Sequence, residues 1–315
     1  MKDLKNLIAI GRSRYLFEGI RHLADKGYSF KAIVTNEAYE EYDIKHHDFE
    51  NLARDLNARF FMVKSVQQEE LIQIISANNI RAAISVNWKY TIPGSFLDLF
   101  ECGILNYHLG NLPDYKGNAT VNWSIINGEK KIFGNIHKMD PELDAGDVVA
   151  RKAIRISDKT YIAEILAKAA KDVPLLYEKA LEKVLKKPGA FLVKGSRHGL
   201  RCYPRLPEDS QIDWTGSSQK ISRLIRASST PYPGAYTFLN GERIIVWKAA
   251  PVELKDKFLA MPGHVVGIQK ENRFIHVACG KGMLEVQEIE HQGQKMAPAE
   301  FIKSIRLRFK YHFNE

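Results

Sequence analysis

The residues of this chain best suited to chemistry are Asn106 and His108, which close the run Gly103-Ile104-Leu105-Asn106-Tyr107-His108, and Asp144, in Glu142-Leu143-Asp144-Ala145-Gly146-Asp147. A histidine can give and take protons near neutral pH. A carboxylate beside it orients the imidazole and favours its charged form. An asparagine two residues earlier on a strand points to the same side as the histidine. Its amide N–H can donate to a developing oxyanion without changing its own charge. An amide, an imidazole and a carboxylate at strand ends can together move an acyl group onto an amine. A lone histidine beside a strand carries no such meaning, so the reading rests on the three together.

The first half of the chain supplies strands to carry them. Residues 7–10, 32–34, 60–63 and 82–86 are short apolar runs, separated by helical patterns. Gly11-Arg12-Ser13-Arg14 turns into a helix carrying Leu16, Ile20 and Leu23, and Leu71, Ile72, Ile74 and Ile75 mark another. This alternation predicts a Rossmann-like α/β domain, a mostly parallel sheet with helices on both faces, over residues 1–200. In such sheets ligands bind beyond the carboxyl ends of the strands, where Asn106 and His108 stand. Runs at 132–139 and 148–156 bracket the Asp144 loop. Residues 160–187 follow as a long helical pattern that Lys187-Pro188-Gly189 stops.

The texture changes from Arg201 onward. Residues 205–210 read as a linker, 218–228 as a helix, and 235–239, 244–247, 263–268, 274–278 and 283–289 as strands. Turns at Asn240-Gly241 and Gly280-Lys281-Gly282 support hairpins. Residues 201–315 are therefore expected to form a smaller C-terminal β-barrel, OB-like, with one leading helix. Phe301, Ile305 and Phe309 recur at helical spacing, which predicts that the tail docks as an amphipathic helix.

The 315 residues are 45% hydrophobic and 26% charged, the balance of a soluble globular protein. No apolar run approaches the roughly 20 residues needed to span a membrane. Met1-Lys2-Asp3-Leu4-Lys5-Asn6 leads straight into a strand, so no signal peptide is expected. Cys102, Cys202 and Cys279 are scattered, which argues against a disulfide framework or a zinc site and for a cytoplasmic setting. A net charge of +9 suits nucleic acid or small phosphorylated and carboxylated ligands equally. A homodimer is compatible with the chain.

The segments around Asn106 and Asp144, with Leu112-Pro113-Asp114-Tyr115-Lys116-Gly117, resemble the signature of the folate-dependent formyltransferases. The likeness extends through Val121-Asn122-Trp123-Ser124-Ile125-Ile126-Asn127-Gly128-Glu129 and resumes at Ile212-Asp213-Trp214, Ile225-Arg226-Ala227 and Pro231-Tyr232-Pro233-Gly234-Ala235. It implies transfer of formyl from N10-formyltetrahydrofolate to a primary amine, with Asn106, His108 and Asp144 catalytic and no metal. Asn106 and a protonated His108 would face the oxyanion, with Asp144 holding the imidazole charged. The resemblance also implies that Val86, Trp88, Lys89 and Tyr90 face Asp140, Pro141, Glu142 and Leu143 across the folate; Trp88 and Tyr90 suit a flat ring. Leu109 stands where the family commonly has serine, and Asn118 where it often has a basic residue.

For the acceptor, the resemblance leans toward enzymes that formylate amino sugars on nucleoside diphosphates. Arg12, Arg14, Lys116, Arg201, Arg205 and Arg226 are then candidates for the diphosphate. Methionyl-tRNA formyltransferases insert a basic, Gly-rich loop after the second strand, whereas Glu37-Ala38-Tyr39-Glu40-Glu41-Tyr42-Asp43 is acidic and would repel a phosphate backbone. Nucleic acid is therefore not the expected partner. Hydrolysis of formyltetrahydrofolate is a third reading with the same three residues. A non-enzymatic, nucleic-acid-binding barrel using Lys303, Arg306, Arg308 and Lys310 is a fourth, against which the intact Asn106, His108 and Asp144 argue.

Overall fold

A computed structural model describes residues 5–38, 42–253 and 259–311. Residues 1–4, and Tyr39, Glu40 and Glu41 of the acidic segment, lie outside the described residues. The chain forms two compact units, neither contiguous in sequence. The first comprises Met1–Gly117, Ile132–Ile154 and Ala167–Cys202; the second comprises Asn118–Lys131, Arg155–Leu166 and Tyr203–Glu315.

In chain order the elements of the first half are β1 (Asn6–Gly11), α1 (Arg14–Asp25), β2 (Ser29–Thr35), α2 (His46–Asp55), β3 (Arg59–Met62), α3 (Glu69–Ala77), β4 (Ala82–Val86), α4 (Gly94–Leu97), β5 (Gly103–Leu109) and β6 (Lys116–Gly117). Then come α5 (Thr120–Ile126), β7 (Lys131–Lys138), β8 (Val148–Arg155), α6 (Ile162–Lys186) and β9 (Arg201–Cys202). A seven-stranded sheet runs in the order β3-β2-β1-β4-β5-β7-β8. Strands β1 to β5 pair in parallel, and β7 runs antiparallel to β5. Strands β1, β4 and β5 and most of β2 are buried on both faces, as their near-continuous apolar runs require, whereas the edge strand β3 buries only Phe61. On one face Ile8, Ile10, Ala83 and Ile104 join Leu71, Ile75, Phe96 and Phe100 in a single cluster. On the other, α1 buries Leu16, Ile20 and Leu23, and Tyr177 of α6 lies against Gly19 and donates its hydroxyl to the Ser85 carbonyl at 2.5 Å.

The second unit continues with α7 (Ser218–Ser228), β10 (Ala235–Leu239), β11 (Glu242–Val252), β12 (Val265–Gln269), β13 (Phe274–Ala278), β14 (Met283–His291), β15 (Gln294–Met296) and α8 (Pro298–Phe301). Its antiparallel sheet has the order β10-β11-β14-β13-β12, with β15 on β14. Asn240 and Gly241 both take positive φ in a two-residue turn joining Leu239 to Glu242, as an Asn-Gly hairpin demands.

The tail departs from the expected helix. After Phe301 the backbone extends: Lys310 exchanges both backbone hydrogen bonds with Phe238 of β10, while Phe309 N–H donates to the Gly263 carbonyl and Val265 N–H donates to the Leu307 carbonyl. Residues 307–310 thus span the two ends of the sheet and close it into a barrel. Phe309 is buried in stacked contact with Trp214, at 5.3 Å between ring centroids, whereas Ile305 is exposed. The four-residue spacing arose from an extended segment that buries only its own anchors. No helix among the described residues is long and apolar enough to cross a membrane.

Candidate active site

Strand pairing makes the centre. Opposite residues on antiparallel strands share a face, and β5 sets Asn106 against His137 and His108 against Asn135 of β7. Four polar side chains therefore stand together on a face that is otherwise apolar. Asn135 is fully buried and donates to the carbonyls of His108 (3.1 Å) and Gly110 (2.7 Å), tying down the backbone where β5 ends.

Asp144 reaches these residues from the loop after β7, with φ at 52°. Its Oδ2 lies 3.4 Å from His108 Nδ1 and accepts the Gly117 N–H at 2.9 Å; its Oδ1 lies 3.4 Å from His137 Nε2. Asn106 Nδ2 is 3.0 Å from that same Nε2 of His137, so His137 links the amide to the carboxylate. His137 Nδ1 lies 3.1 Å from the Lys138 carbonyl, so both ring nitrogens of His137 have a polar neighbour. The three residues singled out in the sequence come together, and His137 joins them. Its signal was available: a histidine inside the apolar run 132–139 is a polar group that a buried strand must satisfy.

The loop has no freedom to place Asp144 elsewhere. A Cβ on Gly146 would lie 1.7 Å from the Lys138 carbonyl oxygen, and Lys138 N–H donates to Asp147 O at 2.9 Å. Gly110 is equally confined, since a Cβ there would fall 2.4 Å from His108 Nε2 and 2.6 Å from the Tyr115 carbonyl oxygen.

Burial works to raise the Asp144 pKa, but His108, His137 and the Gly117 N–H outweigh it and hold the carboxyl well below its ordinary value. For His108 the balance falls the other way from the expected charged ring. Burial pulls its pKa below the usual histidine value, against Asp144, which pushes it up. At neutral pH the pair is a neutral imidazole beside a carboxylate. Because His108 Nε2 lies 2.8 Å from the Tyr115 carbonyl, that nitrogen carries the proton, and Nδ1 faces Asp144 with its lone pair. A proton delivered to Nδ1 would meet an oxyanion, so the ring is a base with its counter-charge in place.

The two segments expected to hold a folate ring adjoin the same cluster. Trp88 and Met139 both pack against the apolar cluster that includes Ile8, Ile10, Ile92 and Ile104, and Pro141 Cγ comes within 3.8 Å of where a Cβ on Gly94 would be. Trp88 and Tyr90 meet edge to face at 5.9 Å, with Lys89 Nζ 5.9 Å from the Tyr90 ring. Trp88 Nε1 is buried and has no acceptor among the described residues. Val86 is buried and gives its carbonyl to Arg12 N–H at 3.1 Å, so its backbone oxygen is already engaged. Asp140 turns inward to accept Glu142 N–H at 3.0 Å, and Leu143 is left exposed beside Asp144.

The six cations considered for a diphosphate differ in what already engages them. Lys116 is buried and directs its ammonium at three carbonyls, Ser196, Arg197 and His198, at 2.8 to 3.1 Å. An ammonium has three donors, so it is engaged in structure and not available to a ligand. Arg226 is buried and donates to the carbonyls of Ser157 and Thr160. Buried Arg12 likewise holds the carbonyls of Asn87 (3.0 Å) and Glu37 (2.7 Å). Arg205 binds Asp209 O and the hydroxyls of Ser210 and Ser228. Arg14 pairs with Asp43 at 2.6 Å in the open, and Arg201 is exposed on β9. Burial on backbone carbonyls, which composition does not reveal, separates the structural cations from the rest.

A doubly covered α/β sheet with an amide, two imidazoles and a carboxylate at its strand ends, joined in sequence to an antiparallel barrel, defines a class of two-part acyl-transfer enzymes. Residues 7–181 match the Formyl transferase family and residues 206–306 match the Formyl transferase, C-terminal domain. The chain belongs to this family of folate-dependent, formyl-transferring enzymes. It is 27% identical over 303 residues to the methionyl-tRNA formyltransferase of Caldanaerobacter subterraneus subsp. tengcongensis, covering 94% of this chain and 96% of that one. In fold it is similar to the N-formyltransferase from Helicobacter canadensis in complex with folinic acid and dTDP-3-aminofucose, with a TM-score of 0.62, 14% identity and coverage of 90% and 98%. It is also similar to HypX from Aquifex aeolicus in complex with tetrahydrofolic acid, with a TM-score of 0.58 and 17% identity over 95% of this chain. This chain spans about half of that protein's length, 47%.

Proposed function

We propose that the chain transfers a formyl group from N10-formyltetrahydrofolate to the primary amine of an amino sugar carried on a nucleoside diphosphate. The observation that carries the catalytic part is the set Asn106, His108, His137 and Asp144 held within hydrogen-bonding and ion-pairing reach. The apolar walls around Trp88, with its unclaimed indole N–H, fit a flat heterocycle that offers acceptors at its edge. The folate, when bound, supplies the activated formyl carbon.

The chain's own residues then divide the work. Asn106 gives one amide N–H to His137 and turns the other toward an oxygen that gains charge during transfer. His108, neutral at rest, takes the proton released by the attacking amine on the nitrogen that faces Asp144. Asp144, ionised at neutral pH, steadies the imidazolium that results, until His108 returns that proton to the folate nitrogen that departs as the formyl carbon–nitrogen bond breaks. His137 keeps Asn106 and Asp144 at a fixed spacing.

Two features support the sugar-nucleotide acceptor. The N-formyltransferase with a dTDP-linked amino sugar shares the fold, and the segment after β2 is acidic where a grip on RNA would need cations. Asp43 of that segment holds Arg14. The identity to a methionyl-tRNA formyltransferase along nearly the whole chain favours a second reading, charged tRNA. A formylation assay with one folate donor and a panel of UDP-, dTDP- and GDP-linked amino sugars beside charged initiator tRNA separates them. Turnover is expected with a nucleotide sugar; turnover with tRNA alone would overturn the acceptor while leaving the chemistry in place.

A further inference from the structure

The stretch Lys194 to Cys202 lies between the two family-matched regions and belongs to the first unit. It touches both loops of the centre. At its start, Gly195 N–H donates to Asp147 Oδ1 at 2.7 Å and Lys194 Nζ lies 3.0 Å from Oδ2. A Cβ on Gly195 would stand 2.1 Å from the Ala145 carbonyl oxygen, so this strap and the Asp144 loop are in backbone contact. Further along, the carbonyls of Ser196, Arg197 and His198 converge on Lys116 Nζ at 3.0, 2.8 and 3.1 Å. Leu200 accepts from Lys116 N–H at 3.0 Å and donates to Asp114 Oδ1 at 3.2 Å, and β9 pairs with β6 beyond it.

We propose that Lys116 is a positioning residue: by gathering three carbonyls of the strap it fixes the Tyr115 carbonyl on His108 and the Gly117 N–H on Asp144. The inference rests on the reading of that pair as catalytic. Tyr115 and Gly117 are the immediate neighbours of Lys116, and both have left-handed backbone, with φ at 53° and 93°. Among the described residues, regular pairing reaches this segment through the two-residue ladder of β6 with β9 on the strap, and the Lys116 side chain between the two adds three further bonds to that same strap. Lys116 is 5% exposed, and its charge is met by backbone oxygens. The charged or titratable groups that face the pair are His108 from β5, His137 from β7 and Asp144 itself. Lys116 therefore acts through geometry. Asp114 grips the same strap from the exposed side and tests the same link independently.

The test uses the full chain as Lys116→Met, Lys116→Arg and Asp114→Ala, followed by an NMR pH titration of the His108 imidazole without substrate and by steady-state kinetics. Lys116→Met is expected to move the His108 midpoint and to lower kcat about tenfold to a hundredfold, as misplacement near 1 Å does. KM for the amine should stay within about twofold, because the loss is in the reacting geometry. Lys116→Arg should restore most of both, and Asp114→Ala should shift both in the same direction by less. An unmoved His108 titration in Lys116→Met and Asp114→Ala overturns the proposal. If Lys116→Met does not fold, Asp114→Ala decides alone. A wild-type chain that formylates no amine while these titrations still shift would refute the function and leave the positioning role standing.

Discussion

His108 and Asp144 in the first unit, and His276 and Glu285 in the second, are nearly matched by distance, at 3.4 and 3.6 Å, with both imidazoles 8% exposed. Their surroundings differ. His276 and Glu285 are direct cross-strand neighbours of β13 and β14, with the Phe274 ring 5.3 Å away and Gln287 donating to the other carboxylate oxygen. That is an ordinary way to satisfy polar groups on a sheet. Asp144 arrives instead on a loop, itself in left-handed backbone, takes a backbone N–H, and bears on two imidazoles at once. His108 meets an oxygen at each ring nitrogen. Proximity of a histidine to a carboxylate is thus common to both; what distinguishes the first pair is that each partner is held by a third group that does not move with it.

The largest expected contrast is in turnover. His108→Ala or Asp144→Asn should each lower kcat by about 10²- to 10⁴-fold, the range of acid–base groups, with the circular dichroism spectrum retained. His276→Ala and Glu285→Gln should leave kcat within about twofold, since these two groups satisfy each other across one strand pair of the second unit and are given no part in the transfer. Equal losses in both pairs would erase the distinction.

Two glycines sharpen it at a smaller scale. A methyl on Gly110 would meet His108 Nε2 at 2.4 Å, whereas one on Gly267 would meet His276 Nδ1 at 3.2 Å. Gly110→Ala should displace the His108 ring, costing about tenfold or more in kcat and about 1–3 kcal/mol of stability by urea unfolding. Gly267→Ala should cost less than about 1 kcal/mol and leave turnover alone, because a few tenths of an ångström suffice to relieve it.

The smallest effect is a pH dependence of stability. The folded pKa of His108 lies below its ordinary 6.5, so the unfolded chain binds the proton first. Its contribution is present at neutral pH and is lost as pH falls through about 6.5 toward the folded value. Asp144, held below 3.8, contributes above that value and loses it in stronger acid. Urea midpoints of His108→Gln should therefore fall less between pH 7 and pH 5 than those of wild type. Identical slopes would show that His108 is not held neutral by its burial.

Much of this was legible along the chain because it follows from local pattern. Apolar runs of three to five residues became parallel strands, Asn240-Gly241 became a two-residue hairpin, and Asn106 and His108 share a face because a strand has period two. Asp144 was legible as a carboxylate suited to His108, but its pairing with that residue rested on residue type and on resemblance, since nothing local brings residue 144 to residue 108. The arginines were not legible. Arg12 and Arg226 look like surface cations in sequence, and only tertiary burial gives them backbone carbonyls to satisfy. The tail misled for a related reason: Phe301, Ile305 and Phe309 fit a helical period, but Phe309 is buried by pairing across the sheet and Ile305 by nothing. Lys116 shows the same gap, a cation whose partners lie some 80 residues onward.

The closure of the second unit by residues 307–310 also bears on the order in which it can fold. Hairpins such as β10–β11 and β13–β14 join neighbours in sequence and can form early. The joint between Phe238 and Lys310 spans 72 residues and requires Gly263 and Val265 to be in place on its other side. Long loops must be closed before such contacts return any stabilisation, so this seam is the slow, late event. Until residue 310 is available, β12 and the Phe238 end of β10, beyond the bridge that Gln211 makes to Tyr236, are open edges able to pair with another chain. The last strand is thus a latch against association during synthesis as much as a wall of the finished barrel.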